Sequence, residues 1–203
     1  MKIITVSREF GSGGREVGKR LADILGYDYF DREILTELAS KINMDEAYIE
    51  TTLNSGILRS IPINFSRTLS HKPVTLNTAS LLSQQHKIIK EIAGRGKNFI
   101  IVGRSANVIL SRYNTFNIFV YADMENKIKR CRERGANQGI SDKELEKEIK
   151  RIDRGRAECH SLVSNKEWGD KSGYHLCINT TNMEIKKITP LIAEFADSHF
   201  TEV

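Results

Sequence analysis

Residues 2–6 read KIITV, a β-branched run that leads directly into SREFGSGG and then into a helical pattern. This succession of strand, glycine-rich loop (Ser7 to Gly14) and helix constrains the fold more than any other feature. The apolar positions of the helix, Val17, Leu21, Ile24 and Leu25, predict one buried stripe, closed by Gly26. A buried strand feeding such a helix is the first half of a βαβ unit. Gly11, Gly13 and Gly14 remove the Cβ atoms that would keep an anion from backbone N–H groups and from the helix N-terminus. Arg8 and Arg15 flank them and can neutralise phosphate charge. A tight turn with no ligand is the plainer alternative.

The rest of the chain continues the alternation. YDYF (27–30) predicts a second strand ending at Asp31, followed by a helix that buries Ile34, Leu35, Leu38, Ala39 and Ile42. NFIIV (98–102), FNIFVYA (116–122) and YHLCIN (174–179) predict three more strands. Helices are predicted over roughly 77–94 and 183–198, with a very basic one at DMENKIKRCRERG. Ser141 and Glu144 form a capping-box pattern at the start of a helix whose inner face carries Leu145, Ile149, Ile152 and Cys159. Strands alternating with helices imply an α/β fold, a parallel β-sheet sandwiched by helices. From Asn43 to Thr75 the periodicity weakens around Gly56, Pro62 and Pro73, and the stretch reads as an insertion.

With 203 residues, 39% hydrophobic and 28% charged, the chain suits one ordinary globular domain. Its net charge of +5 favours an anionic partner but does not choose among nucleotides, nucleic acid and acidic surfaces. No nucleic-acid-binding motif or stacked aromatic set appears, so nucleic acid is not expected. Three widely spaced cysteines, Cys131, Cys159 and Cys177, argue against a disulfide framework, and the five histidines show no metal-ligand spacing. No run approaches the roughly 18 apolar residues of a membrane span, and a cytoplasmic location without membrane attachment is expected. Trp168 reads as a loop anchor, with base stacking as the alternative.

Two phosphate-loop patterns compete. G-x-x-x-x-G-K-[ST] requires a lysine that this loop lacks, and Glu16 follows Arg15 where a hydroxyl belongs. G-x-G-x-x-G fits Gly11-Ser12-Gly13 but meets Glu16 at the third glycine, although Asp28 and Asp31 lie near the spacing of a ribose-binding acid. On spacing alone both remain open.

The run SREFGSGGREVGKRLADILGYDYFDREIL, with IIVGR at 100–104 and DRGR at 153–156, resembles the cytidylate kinase-like family, a divergent branch of the P-loop nucleoside monophosphate kinases. The resemblance implies transfer of the γ-phosphoryl group of ATP, with Mg²⁺, to a nucleoside monophosphate, CMP or dCMP. It implies a core of about 1–42, 77–127 and 151–203, a helical acceptor-binding insertion at about 43–76 and a lid at about 128–150. Arg8, Gly11, Ser12, Gly13, Gly14 and Arg15 would hold ATP phosphates, with Arg15 standing in for the missing lysine. Arg104 would hold the acceptor phosphate, and Arg130 and Arg134, one helical turn apart, would close over the phosphates. Asp31, Arg32, Asp153 and Arg156 would contact the acceptor, the last two at its cytosine end; a helix cap at Asp31 and an intrahelical salt bridge between Asp153 and Arg156 are the plainer alternatives. Ser12 or Glu16 would supply a Mg²⁺ ligand. The chain departs from the family pattern at Val102, where an acid is usual, at Glu16, and at Glu37, where an arginine is usual; Arg32, Arg59 or Arg67 could compensate. A non-catalytic nucleotide-binding protein on the same scaffold, or a kinase of another small acceptor, are the alternatives.

Overall fold

The computed structural model describes residues 1–54, 78–135 and 139–201. Arg59, Arg67 and most of the predicted insertion lie outside the described residues.

Strands β1 (Ile3–Arg8), β2 (Asp28–Phe30), β3 (Phe99–Val102), β4 (Thr115–Tyr121) and β5 (Leu176–Asn179) form one sheet in the order β2-β3-β1-β4-β5. Every pairing is parallel, as the alternation predicts; Ile4 lies opposite Ile100 on one side and Phe116 on the other. β1 is therefore central and flanked by two strands that come later in the chain. The chain builds first one side of the sheet and then the other. At such a reversal the loops diverge and open a crevice at the carboxyl ends of the strands.

Two apolar layers cover the sheet, and strand alternation decides which residue enters which layer. Ile3, Phe99 and Ile101 face helices α2 (Glu33–Ile42), α3 (Glu46–Asn54), α4 (Thr78–Gly94) and α5 (Ala106–Ile109). Ile4, Val6, Ile100 and Val102 face α1 (Gly14–Leu25) and α8 (Ile185–Thr201). Each fully buried Ile or Leu contributes roughly 1.5–3 kcal/mol of transfer free energy. Val17 and Leu21 lie in this second layer, but Ile24 is 51% exposed. The buried stripe on α1 is thus narrower than its sequence predicts.

Helices α6 (Met124–Glu133) and α7 (Asp142–Ser161) stand beside the sheet. Asp123 caps α6, and Ser141 with Glu144 forms the expected capping box at α7. Between them Cys131, Leu145 and Ile149 form a third cluster, against which Phe10 of the glycine loop packs. α3, at the start of the predicted insertion, contacts α7. All three cysteines are free thiols. Among the described residues, no helix is long and apolar enough to cross a membrane.

Candidate phosphate-binding cleft

The crevice contains a cleft of about 400 Å³ between the glycine loop, the β3–α5 turn, and helices α3, α4 and α7. Gly11, Gly13, Gly14, Arg8, Arg15, Arg32, Arg104, Arg134 and Arg156 all line it. Ser12, Glu16, Asp31, Arg130 and Asp153 do not.

Arg8 ends β1 and runs between the loop and the β3–α5 turn. A Cβ placed on Gly14 would overlap Arg8 Cβ, and one on Gly103 would overlap its guanidinium. These two glycines are the walls of the Arg8 slot. The guanidinium meets Asp31 at 3.4 Å, and Arg15 Nε meets the other oxygen of Asp31 at 2.5 Å. Asp31 is 3% exposed, so one buried carboxylate sits behind two cations. Burial pushes the Arg8 guanidinium below its ordinary range, and Asp31 opposes that shift.

Gly103, Arg104 and Ser105 have φ of 79°, 61° and 52°, three successive left-handed residues. For the two non-glycines this costs roughly 1 kcal/mol or more each. The turn carries Arg104 off the end of β3 into the cleft. Its Nε is sealed from solvent and has no hydrogen-bond partner, and among the described residues no carboxylate pairs with it. Burial, reinforced by the Arg8 charge, pushes its pKa down to about 10, so it remains charged at neutral pH.

Arg156 enters from α7, donates to the Arg8 carbonyl at 3.0 Å and lies 5.6 Å from the centre of the Phe10 ring. Burial and the Arg8 charge depress its pKa as well. Its helical neighbour Asp153 lies 3.7 Å from the Arg156 guanidinium and has a further task. Its carboxylate accepts the Phe10 N–H at 2.6 Å and the Lys127 ammonium at 3.1 Å, while Lys127 also meets Glu9 at 2.6 Å. Lys127, on α6, is 5% exposed. This network fastens the glycine loop to α6 and α7.

The remaining predicted residues lie at the margins. Arg130 donates to the Thr180 carbonyl and hydroxyl and to the Met183 carbonyl, and so clamps the β5–α8 loop. Arg134 reaches the rim and meets Glu16 at 3.3 Å. Arg32 meets Glu50 of α3 at 3.5 Å at the mouth. Ser12 is wholly buried, its hydroxyl donating to the Glu9 carbonyl at 2.8 Å. Glu16 is engaged by Arg20 as well as by Arg134.

Mg²⁺ is held by carboxylate, hydroxyl, water and phosphate oxygens in near-octahedral geometry. The Ser12 hydroxyl is turned away, and Glu16 and Asp31 are each held by two cations. Among the described residues no three His, Cys, Asp or Glu side chains cluster as a metal site. These side chains therefore do not fit a protein-built Mg²⁺ cage. Arginine is what they offer to phosphate.

Several participants carry no sequence signal of their own. Lys127 and Gln85 are polar residues on predicted helix positions that only the fold makes interior, and Glu9 is a loop residue that the fold brings to Lys127.

The sequence model of the family described as "Cytidylate kinase-like family" matches residues 3–182. No curated protein matches. Among solved structures, an uncharacterized protein from Eubacterium ventriosum is similar at 26% identity with a TM-score of 0.71, over 98% of this chain and 99% of that one. Shikimate kinases from Bacteroides thetaiotaomicron (14% identity, TM-score 0.59, 97% of this chain, 98% of that one) and Acinetobacter baumannii (14%, 0.57, 98% and 94%) share the fold. Since the family match spans most of the chain, the protein belongs to the cytidylate kinase-like family.

Proposed function

We propose that the protein transfers the γ-phosphoryl group of ATP to a nucleoside monophosphate, CMP or dCMP, giving ADP and the diphosphate. Membership of the family and the fold support a nucleotide kinase in general terms. The observation that carries the finer reading is Arg104. A half-buried guanidinium whose sealed Nε has no hydrogen-bond partner and which no carboxylate among the described residues pairs with, in a cleft that also holds Arg8, Arg15 and Arg156, is poised for a ligand with several negative charges.

In this reading the loop N–H groups and the start of α1 face the donor phosphates. Arg104 holds the acceptor phosphate, and Arg8, between the loop and Arg104, lies where the transferred group would pass. An acceptor phosphate oxygen attacks the γ-phosphorus, the bond to the β–γ bridging oxygen breaks, and ADP leaves with that electron pair. Such transfer needs alignment and cancellation of developing charge rather than a covalent nucleophile, which is what convergent arginines supply. Family membership implies a divalent cation with ATP. The described side chains give it no cage, so it would be held chiefly by nucleotide oxygens and water.

A second reading, nucleotide binding without transfer, draws on the closed Ser12 hydroxyl and the lack of a loop lysine. One experiment decides between them: a coupled ADP-release assay of the pure protein with ATP, Mg²⁺ and CMP, dCMP or UMP, beside direct titration of each nucleotide. Turnover supports the kinase. Binding with no turnover of any monophosphate overturns it in favour of the second reading.

A further inference from the structure

Gln85 sits on α4 at the acceptor end of the cleft, 2% exposed, with Leu53, Leu82 and Cys159 around the same cavity. Its Nε2 donates to the Arg104 carbonyl at 3.4 Å. A carbonyl can only accept, so this bond fixes which way the amide is turned. The other end, Oε1, is buried and has no hydrogen-bond partner. A sealed carboxamide oxygen without a donor is costly unless a ligand brings one.

The surroundings narrow what that ligand group is. Leu53 and Leu82 are apolar and 4% and 6% exposed, suited to the faces of a flat ring. The Cys159 thiol is already donated to the Leu53 carbonyl at 3.1 Å, and burial raises its pKa to about 11, so it adds no charge. Glu50 is engaged by Arg32 at the mouth. Asp153, which the family resemblance would place at the base, is committed to Phe10 and Lys127. Among the described residues, Gln85 Oε1 is the buried side-chain acceptor at that end without a partner.

We infer that Gln85 is a specificity-determining residue that accepts a hydrogen bond from the exocyclic amino group of the acceptor base, selecting cytosine over uracil. The inference rests on the nucleoside monophosphate reading. Uracil would set a carbonyl oxygen against Oε1, losing the bond and adding lone-pair repulsion. Because the same amide is tied to the Arg104 backbone, the group that reads the base and the group that holds the phosphate are fixed relative to each other.

The test measures binding by titration calorimetry for CMP, UMP, AMP and the pyrimidin-2-one ribonucleoside monophosphate, which lacks the amino group. Wild type is compared with Gln85→Met, which keeps the volume and removes the acceptor together with the Nε2 donor to the Arg104 carbonyl. Wild type should bind CMP roughly 10–100-fold more tightly than UMP or the pyrimidinone. In Gln85→Met that ratio should collapse toward unity through weaker CMP binding, with retained UMP binding showing that the cleft is intact. Should the variant not fold, the CMP-to-pyrimidinone ratio of the wild type still decides. Equal affinity for those two ligands in wild type, or a ratio unchanged in Gln85→Met, overturns the inference and leaves the kinase reading standing. AMP bound more tightly than CMP, with the same dependence on Gln85, would support reading of an amino group and overturn the choice of cytosine. No binding of any monophosphate would overturn the kinase reading itself and this inference with it.

Discussion

The side chain of Arg8 fills the space into which any side chain at position 14 would project. A Cβ on Gly14 overlaps Arg8 Cβ and lies 2.9 Å from Arg8 Cγ. Position 14, next to Arg15, is where a lysine would be restored to the loop. Gly14→Lys should therefore yield no gain in turnover and should destabilise the fold by about 1–3 kcal/mol, the usual cost of overpacking. Combining it with Arg8→Gly frees the slot and should recover part of that loss. Urea unfolding of the two variants and wild type checks the ordering.

Arg104 combines a functional charge with an unfavourable backbone, at φ 61°. Arg104→Gly removes both. The protein should become no less stable to heat, because glycine adopts this conformation freely and a sealed Nε is deleted. Acceptor affinity should fall roughly 10–100-fold, the worth of one or two charge-assisted hydrogen bonds. ATP affinity should hold. A variant that loses stability but not acceptor affinity would make Arg104 a packing residue.

Sheet and loop were legible because both depend on short patterns. Four apolar residues at 99–102 leave little choice but a buried strand, and glycines between a strand and a helix demand a tight approach. The parallel order followed from the alternation of elements. The cleft was legible in its arginines and less so in its division of labour. Asp153 and Arg156 read equally as a pair at the acceptor and as an intrahelical salt bridge; their charges lie 3.7 Å apart, while Arg156 also lines the cleft and Asp153 also secures the loop. One helix face can meet two different neighbours, and spacing does not say which. Lys127 and Gln85 were hidden for a related reason: a polar side chain on an amphipathic helix reads as solvent-facing until the whole fold closes over it. Ile24 failed in the opposite direction, an apolar residue left outside.

Lys127 stands between Glu9 and Asp153 with almost no exposure. Burial raises the Asp153 pKa, and the Phe10 N–H and Lys127 partly offset this. Lys127→Met should leave the Asp153 carboxylate stranded with only the more distant Arg156 guanidinium, at 3.7 Å, as counter-charge, and should cost about 3 kcal/mol, the lower end of the usual penalty for removing one partner of a buried pair. Adding Asp153→Asn removes the stranded charge and keeps an oxygen for Phe10 N–H, so the double variant should be more stable than Lys127→Met alone. Equal instability of the two would show that the loop is held mainly by packing against Phe10.

Three histidines contribute to the pH dependence of folding in the mildly acidic range. His86, His160 and His175 all have pKa values lowered from the ordinary 6.5, in each case first by burial. For His175 the neighbouring His199, 4.6 Å away ring to ring, adds to the shift. Its Nδ1 accepts the Asn117 N–H at 2.9 Å, a bond that exists only while that nitrogen is unprotonated. A depressed histidine pKa means that the unfolded chain binds protons first. The contribution is complete above pH 6.5, is lost as pH falls from 6.5 to the lowered folded value, and changes no further below it. The exposed caps Asp123, Glu144 and Asp170 have pKa values below the ordinary 3.8, 4.5 and 3.8, so their losses come at lower pH. Thermal unfolding should therefore show Tm declining between about pH 7 and 5, ahead of the loss of those three caps. His175→Gln should flatten that decline, because glutamine can still accept from Asn117 and cannot titrate. If the slope is unchanged in His175→Gln, the decline belongs to His86 and His160.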